Sequence, residues 1–264
     1  MKLIIFTDLH HYAGDRETAI FGKTKKLTQY AMPMLEQLIE KVNREYKPDA
    51  VINLGDSIQD ANDREADIVS LTAVAEKVKE FNCPYYMVLG NHDLKMFDST
   101  CEAERIFGYD RFTYALDLGD HHLIFLTNEV RPERGTAGGG IPKTHALAEA
   151  DIEWLRAELA GSEKPCLLFT HYAFYGSNDG LVLENAERVL EVIRASGKVR
   201  AVFSGHTHIA YSEEHDGVAY HVLGSPIADL QEVGAPDAVY YEVELCGDRI
   251  TVTEHLFDYR CKIE

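Results

Sequence analysis

The chain has 264 residues and a formal net charge of −18. This charge disfavours proteins that bind nucleic acids or anionic membranes, because an acidic surface repels a polyanion. Apolar residues make up 45% of the sequence, which is enough for a sizeable core, and no apolar run approaches the 18 or so residues that a membrane-spanning helix needs. The sequence therefore predicts a globular protein without a nucleic-acid or membrane partner.

Two features bear on the cellular compartment. The first residues, MKLIIF, are too short for a signal peptide, and we interpret them as a first strand. The five cysteines are widely scattered and include no Cys-x-x-Cys pair, which is typical of reduced thiols: Cys83, Cys101, Cys166, Cys246 and Cys261. We expect a cytoplasmic protein.

Short apolar strands alternate with helical patterns along most of the chain. Five strands are almost continuously apolar, as expected of strands that are covered on both faces: 2–8, 50–56, 84–91, 165–171 and 199–206. Apolar residues at three- and four-residue spacing predict helices between them, near 24–46, 64–81, 144–160 and 181–196. This alternation favours βαβ units.

Three other segments have the pattern of antiparallel hairpins. They span 112–129, 209–225 and 238–258, with turns at Gly119-Asp120, Asp216-Gly217 and Gly247-Asp248. Together with the parallel part, they predict an α/β fold in which two mixed β-sheets pack together with helices outside. We expect one domain over residues 1–264, mainly antiparallel strands over 209–264, and a loop at the glycine-rich segment 135–142. The role of that loop and of residues 225–264 stays open.

Each of the five apolar strands ends in residues that can bind a metal ion. Alone, each motif is better explained by ordinary turn chemistry. Five such ends are more than a hydrophobic sheet needs, and sites in open α/β sheets form at the carboxyl ends of the strands. The motifs are Asp8-Leu9-His10, Gly55-Asp56, Gly90-Asn91-His92-Asp93, His171 and Gly205-His206-Thr207-His208.

Seven of these side chains are candidate metal ligands: Asp8, His10, Asp56, Asn91, His171, His206 and His208. One ion cannot use seven ligands, but two ions about 3.5–4 Å apart can, if one carboxylate bridges them. Histidine, aspartate and asparagine suit iron, manganese and zinc alike. The two-residue spacing of Asp8 and His10, and that of His206 and His208, predicts that both side chains of each pair leave an extended chain on the same face.

The same segments carry a family resemblance. In this order, DLH (8–10), GDSIQD (55–60), GNHD (90–93), TH (170–171) and GHTH (205–208) resemble the five motifs of the calcineurin-like metallophosphoesterases. The segment IEWLRAELAG before CLLFTHY is similar to the bacterial branch that includes the cyclic-nucleotide and glycerophosphodiester phosphodiesterases. The resemblance implies a four-layer αββα sandwich, in agreement with the predicted hairpins.

The resemblance also implies a role for each motif residue. Three side chains would hold a first ion (Asp8, His10 and His208), and three a second (Asn91, His171 and His206), with Asp56 bridging. His92 matches the catalytic histidine that acts on the leaving oxygen, and Asp93 would orient its ring. Asp60 is either a support for the site or a solvated carboxylate at a helix start.

The motifs and the resemblance together predict a dinuclear metal-dependent hydrolase of small phosphoesters. The two ions lower the pKa of a shared water, so that hydroxide can attack phosphorus at neutral pH. Two alternatives stay open: a nuclease on the same scaffold, which the acidic charge disfavours, and a non-catalytic metal-binding module, which should have lost ligands. The sequence leaves open the monoester or diester nature of the substrate, the native metals and the oligomeric state.

Two local features are weaker signals. Gly22-Lys23-Thr24 matches the end of a phosphate-binding loop, but the first glycine of that loop would fall at Glu17, so we reject it. The tyrosines beside motif residues, Tyr12, Tyr172 and Tyr175, either line the mouth of the site or pack against it.

Overall fold

The computed structural model describes residues 1–13, 18–19, 25–128, 146–176, 181–231, 234–247 and 249–258. The strands are β1 (Lys2–Phe6), β2 (Thr18–Ala19), β3 (Lys25–Lys26), β4 (Ala50–Asn53), β5 (Tyr85–Met87), β6 (Tyr114–Leu118), β7 (His121–Leu126), β8 (Cys166–Thr170), β9 (Val199–Ser204), β10 (Tyr211–His215), β11 (Val218–Val222), β12 (Ala228–Asp229), β13 (Val239–Cys246) and β14 (Arg249–Leu256). The helices are α1 (Ala31–Lys41), α2 (Arg64–Val78), α3 (Asn91–Leu94), α4 (Cys101–Phe107), α5 (Glu149–Gly161) and α6 (Ala186–Ser196). A 3₁₀ turn (Thr28–Tyr30) precedes α1 and a π-helical turn (Val42–Tyr46) comes after it.

Most strands belong to two mixed sheets, which confirms the predicted fold. The first has the order β14-β13-β1-β4-β5, with β1, β4 and β5 parallel and the hairpin β13–β14 joined to β1 in antiparallel pairing. The second has the order β10-β11-β9-β8-β7-β6, with four parallel central strands and an antiparallel strand at each edge. The last two strands, β13 and β14, therefore complete the first sheet.

Side-chain packing arranges these sheets into four layers. Between the sheets, Ile5 and Ile52 of the first face Phe125, Phe169 and Phe203 of the second, whose rings stack with centroids 5.0 and 5.5 Å apart. Each of these buried apolar side chains contributes roughly 1.5–3 kcal/mol by leaving water. The outer face of the first sheet packs on α1 and α2, and that of the second on α5 and α6. The result is a rigid platform whose strand ends can hold a site.

The region before α1 differs from the prediction. We expected a helix from about residue 24, but Lys25–Lys26 form β3 in a small sheet of order β12-β3-β2, and α1 begins at Ala31. A two-residue strand has no periodicity to read, and β3 is held by pairing with β2 on one side and with β12, about 200 residues away, on the other. The predicted loop at 135–142 lies outside the described residues.

Two further findings concern membrane-spanning helices and cysteines among the described residues. None of their helices combines the length and the apolar composition needed to cross a bilayer. Four cysteines are free thiols, at positions 83, 101, 166 and 246, and Cys261 lies outside the described part of the chain.

Candidate metal centre

Backbone hydrogen bonds draw the motif segments together at one edge of the sandwich. The Asp8 N–H donates to the Gly55 carbonyl and the His10 N–H to the Asp56 carbonyl, each at 2.9 Å, and the Gly205 N–H donates to the His171 carbonyl at 2.9 Å. A link between the first and last motifs comes from the His206 N–H, which donates to Asp8 Oδ2 at 2.9 Å. Segments that are about 200 residues apart in sequence thus share one site.

Asp8, His10 and His208 form a first buried cluster. The Nε2 atoms of His10 and His208 are 3.0 Å apart, and Asp8 Oδ1 lies 3.6 Å from the first and 3.3 Å from the second. Ligands about 2.0–2.2 Å from an ion lie roughly 2.8–3.6 Å from one another in tetrahedral or octahedral arrangements. Within the described part of the chain, Asp8 Oδ1 is buried without a hydrogen-bond partner, a costly state that a cation would relieve. These three residues therefore fit a metal ion.

A second cluster surrounds His171. Its Nε2 atom lies 3.2 Å from Asn91 Oδ1, 3.2 Å from His206 Nδ1 and 3.4 Å from Asp56 Oδ2. The opposite nitrogen, Nδ1, donates to the Leu54 carbonyl at 2.8 Å. This bond places the proton on Nδ1 and leaves the lone pair of Nε2 available to a metal ion, so the donor set also fits a metal ion here.

Asp56 lies between the two clusters. Its Oδ2 atom is 3.7 Å from His10 Nε2 on one side and 3.4 Å from His171 Nε2 on the other. Its Oδ1 atom accepts the backbone N–H of His92 at 2.8 Å, which fixes the carboxylate plane. One oxygen therefore faces both clusters, as a bridging ligand must.

The backbone conformation of the ligands differs from the prediction. We expected each Asp/His or His/His pair to leave an extended chain, but five candidate ligands have left-handed backbone: Asp8 (φ 52°), His10 (47°), Asp56 (51°), His206 (68°) and His208 (62°). The strands end before these residues, so tight turns aim the side chains. Such conformations cost roughly 1–3 kcal/mol each and are concentrated at functional sites.

Gly205 shows why the turn before His206 needs glycine. A Cβ at this position would lie 2.0 Å from Thr7 Oγ1 and 2.5 Å from Asp8 Oδ2. Real Cβ contacts are far longer, so any side chain here would push the last motif away from the first. The glycine thus lets His208 reach the cluster of Asp8 and His206 reach the cluster of His171.

Buried carboxylates and imidazoles of the site lie close together and shift one another's pKa values. Burial would raise the pKa values of Asp8 and Asp56, but neighbouring imidazoles hold both well below the usual range, chiefly His10 for Asp8 and His171 for Asp56. Burial would lower the pKa of His171, yet Asp56 raises it to about 9. Below this pKa, His171 carries a second proton on Nε2. A metal ion that binds Nε2 must displace that proton, so the affinity of the second cluster for a metal ion should fall as the pH drops below about 9.

His92 is held by Asp60 and not by Asp93, which corrects the expected orienting role of Asp93. His92 Nδ1 donates to Asp60 Oδ2 at 2.5 Å, and Lys95 Nζ lies 2.6 Å from Asp60 Oδ1. Asp93 instead accepts the backbone N–H groups of Gly90 and Ile58, at 2.9 and 3.2 Å. Asp60 is also buried and precedes α2, so it is not a solvated carboxylate at a helix start.

Replacing Asp60 with Ala should lower kcat for the phosphoester hydrolysis that the sequence predicts. We expect a loss of roughly 10–100-fold, the usual cost of losing a carboxylate that supports a functional histidine. The His92 ring would lose the acceptor that fixes its orientation, while the candidate metal ligands stay in place. We expect metal content to be unchanged when it is measured beside kcat. Asp63→Ala is a matched control, because this exposed carboxylate caps α2 through the Ala66 N–H. Wild-type kcat in Asp60→Ala would contradict the assignment.

The sequence reasoning missed Lys26, whose ammonium group lies inside the site. Its Nζ atom is 3.2 Å from His10 Nδ1, 3.2 Å from His92 Nε2 and 3.1 Å from Gln59 Oε1, and the side chain is buried. Burial lowers the pKa of Lys26 to about 8. No motif pointed to this residue, because it enters the site only through the small sheet.

Tyr172 packs against the second cluster. It is buried, and its ring centroid lies 4.2 Å from that of His206 and 5.2 Å from that of His171. Tyr175 stacks on His215 at 3.9 Å, so both tyrosines have packing contacts.

Known proteins resemble this chain over most of its length. The sequence profile described as calcineurin-like phosphoesterase matches residues 1–210. A 3′,5′-cyclic adenosine monophosphate phosphodiesterase of Haemophilus influenzae is 25% identical over 252 residues, covering 92% of this chain and 81% of that protein. A probable cyclic nucleotide phosphodiesterase of Psychrobacter arcticus is 25% identical over 236 residues, covering 83% of this chain and 77% of that protein.

Solved structures share the fold. A dimetal phosphatase of Danio rerio superposes with a TM-score of 0.77 at 18% identity, covering 96% of this chain and 95% of that one. The profile match covers most of the chain and contains all five motifs. The chain therefore belongs to the calcineurin-like phosphoesterase family, whose members are metal-dependent phosphoesterases.

Proposed function

We propose that this protein hydrolyses small phosphodiesters at a centre of two metal ions. The observation that carries the proposal is the position of Asp56 Oδ2, which faces a three-residue cluster on each side. The similarity to cyclic nucleotide phosphodiesterases at 25% identity supports cyclic nucleotides as the first substrate class to test.

We assign one ion to Asp8, His10 and His208, and the other to Asn91, His171 and His206, with Asp56 shared. Iron, manganese and zinc all suit this donor set. Bound ions would lower the pKa of water and neutralise charge on the phosphoryl oxygens.

The remaining residues hold the reacting groups in place. Asp93 ties the start of α3 to the second motif, which follows β4, through Gly90 and Ile58, and this fixes the positions of Asn91 and His92. Asp60 then orients the His92 ring, whose partly exposed edge can reach a bound ester. We propose that His92 acts on the leaving oxygen of the substrate from this edge.

Two other functions are less well supported. A nuclease needs basic surface along its substrate, and the chain has 44 acidic against 26 basic side chains. A non-catalytic module has no need to keep seven ligands, and all seven are present. We further propose a cytoplasmic location, on the basis of the scattered free cysteines.

The direct test is hydrolysis by protein of defined metal content. Chelated protein is reloaded separately with manganese, zinc or iron(II) and assayed on bis-p-nitrophenyl phosphate, p-nitrophenyl phosphate, cyclic nucleotides and glycerophosphodiesters. We expect metal-dependent cleavage that favours diesters over monoesters. Inactivity on all substrates with every metal would overturn the proposal, and faster cleavage of single-stranded RNA at physiological salt would favour the nuclease.

A further inference from the structure

The small sheet fixes the position of Lys26 in the site. Lys26 pairs with Ala228 across the antiparallel strands β3 and β12, and the next residue, Leu27, donates its N–H to the Ile227 carbonyl at 2.8 Å. Ser225, just before this segment, donates from Oγ to the Asp8 carbonyl at 2.8 Å. The segment 225–229 is therefore bonded both to the first metal motif and to the strand that bears Lys26.

The ammonium group lies against the reactive edge of His92. Asp60 Oδ2 accepts a hydrogen bond from Nδ1–H of His92, so a neutral ring has no proton on Nε2. Lys26 Nζ lies 3.2 Å from that Nε2 atom and donates to it. In this tautomer His92 accepts a hydrogen bond from Lys26 at its reactive edge, so a hydrogen bond to the leaving oxygen must come from the ammonium group that His92 holds.

Lys26 has a free donor once His10 holds an ion. A histidine that binds an ion through Nε2 has its proton on Nδ1. Nδ1 of His10 can then no longer accept from Lys26, which lies 3.2 Å away. Among the described residues, Gln59 Oε1 and His92 Nε2 remain as acceptors, and with respect to these residues one of the three ammonium N–H groups is available to a substrate oxygen.

We propose that Lys26 donates a hydrogen bond to the leaving oxygen of the phosphoester, beside His92. The inference rests on the proposed function, and it concerns a hydrogen bond and not a proton transfer. An ammonium donor stabilises the negative charge that grows on this oxygen as the P–O bond breaks. Its contribution is largest for an alkoxide, such as a ribose oxygen, and small for p-nitrophenoxide, which leaves readily without help.

The test is a leaving-group series. Phosphodiesters that share one ester arm and differ in the other, from p-nitrophenoxide through phenoxide to an alkoxide, are assayed with wild-type protein and with Lys26→Met. We expect Lys26→Met to lose roughly 10²-fold in kcat/KM on the alkoxide ester and little on the p-nitrophenyl ester. For Lys26→Met, the plot of log kcat/KM against leaving-group pKa should therefore be steeper than for the wild-type protein. Lys77→Met, in a half-buried lysine of α2 that pairs with Glu36 and Glu80 away from the site, should keep the wild-type slope.

Two further measurements separate this role from a structural one. Metal content and unfolding temperature are measured for each variant, and Lys26→Arg, which keeps a charged donor, should restore part of the wild-type slope. An equal loss on every leaving group, or a loss that tracks metal content, would overturn the assignment of Lys26 alone. A wild-type protein inactive on the whole series would instead overturn the proposed function, and this inference with it.

Discussion

Replacing Asp56 with Asn should lower kcat/KM for phosphodiesters by roughly 10³-fold or more, because the oxygen that faces both clusters would lose its charge. Asp56 Oδ2 lies 3.7 Å from His10 Nε2 and 3.4 Å from His171 Nε2. The buried imidazoles of both clusters would then face one another without the shared carboxylate. We expect metal analysis after dialysis to give fewer than two ions per chain.

Asp49→Asn is a control for this variant at the other end of the same strand. Asp49 is exposed just before β4 and accepts the Lys2 N–H at 2.7 Å, far from the strand end that supplies Asp56. It should retain two ions and the wild-type rate. An Asp56→Asn protein with both ions and undiminished kcat/KM would contradict the bridging role of Asp56.

Alanine at His208 or at His206 should deplete different ions, although only Thr207 separates them in sequence. His208 Nε2 lies 3.0 Å from His10 Nε2, whereas His206 Nδ1 lies 3.2 Å from His171 Nε2. His208→Ala should lose the ion of Asp8 and His10, and His206→Ala that of Asn91 and His171. Each variant should lose roughly 10²-fold or more in kcat.

Electron paramagnetic resonance spectra of the manganese-loaded proteins distinguish these outcomes in solution. Two close manganese ions give a spin-coupled signal, and each variant should show the signal of an isolated ion at about one equivalent per chain. His215→Ala, in a partly exposed histidine that pairs with Glu213 away from both clusters, should keep the coupled signal. Loss of both ions to the same extent in both variants would contradict the division of ligands between the clusters.

Sequence patterns predicted the platform and the ligand types. The five apolar strands were recognisable because burial on both faces leaves few polar positions, and the hairpin turns because Gly and Asp mark them. The metal-binding residue types recur at strand ends, where parallel topology brings side chains together. The candidate metal ligands could therefore be predicted from residue type and position alone, without any interatomic distance.

The hydrogen bonds that surround the candidate ligands and His92 could not be predicted in this way. Asp60 and Asp93 both lie within a few residues of a motif residue, and only the folded turn decides which carboxylate faces the His92 ring. Lys26 enters the site through pairing with Ala228, a long-range contact with no local signal. The left-handed backbone of the ligands likewise results from tertiary bonds, such as those of the Asp8 and His10 N–H groups to the carbonyls of the second motif.

Anomalous diffraction from crystals grown with manganese tests the two-ion centre most directly. We predict two peaks about 3.5–4 Å apart, with Asp56 between them. One peak should be bound by Asp8, His10 and His208, and the other by Asn91, His171 and His206. A single peak at full manganese occupancy, or two peaks that do not share Asp56, would contradict the two-ion centre.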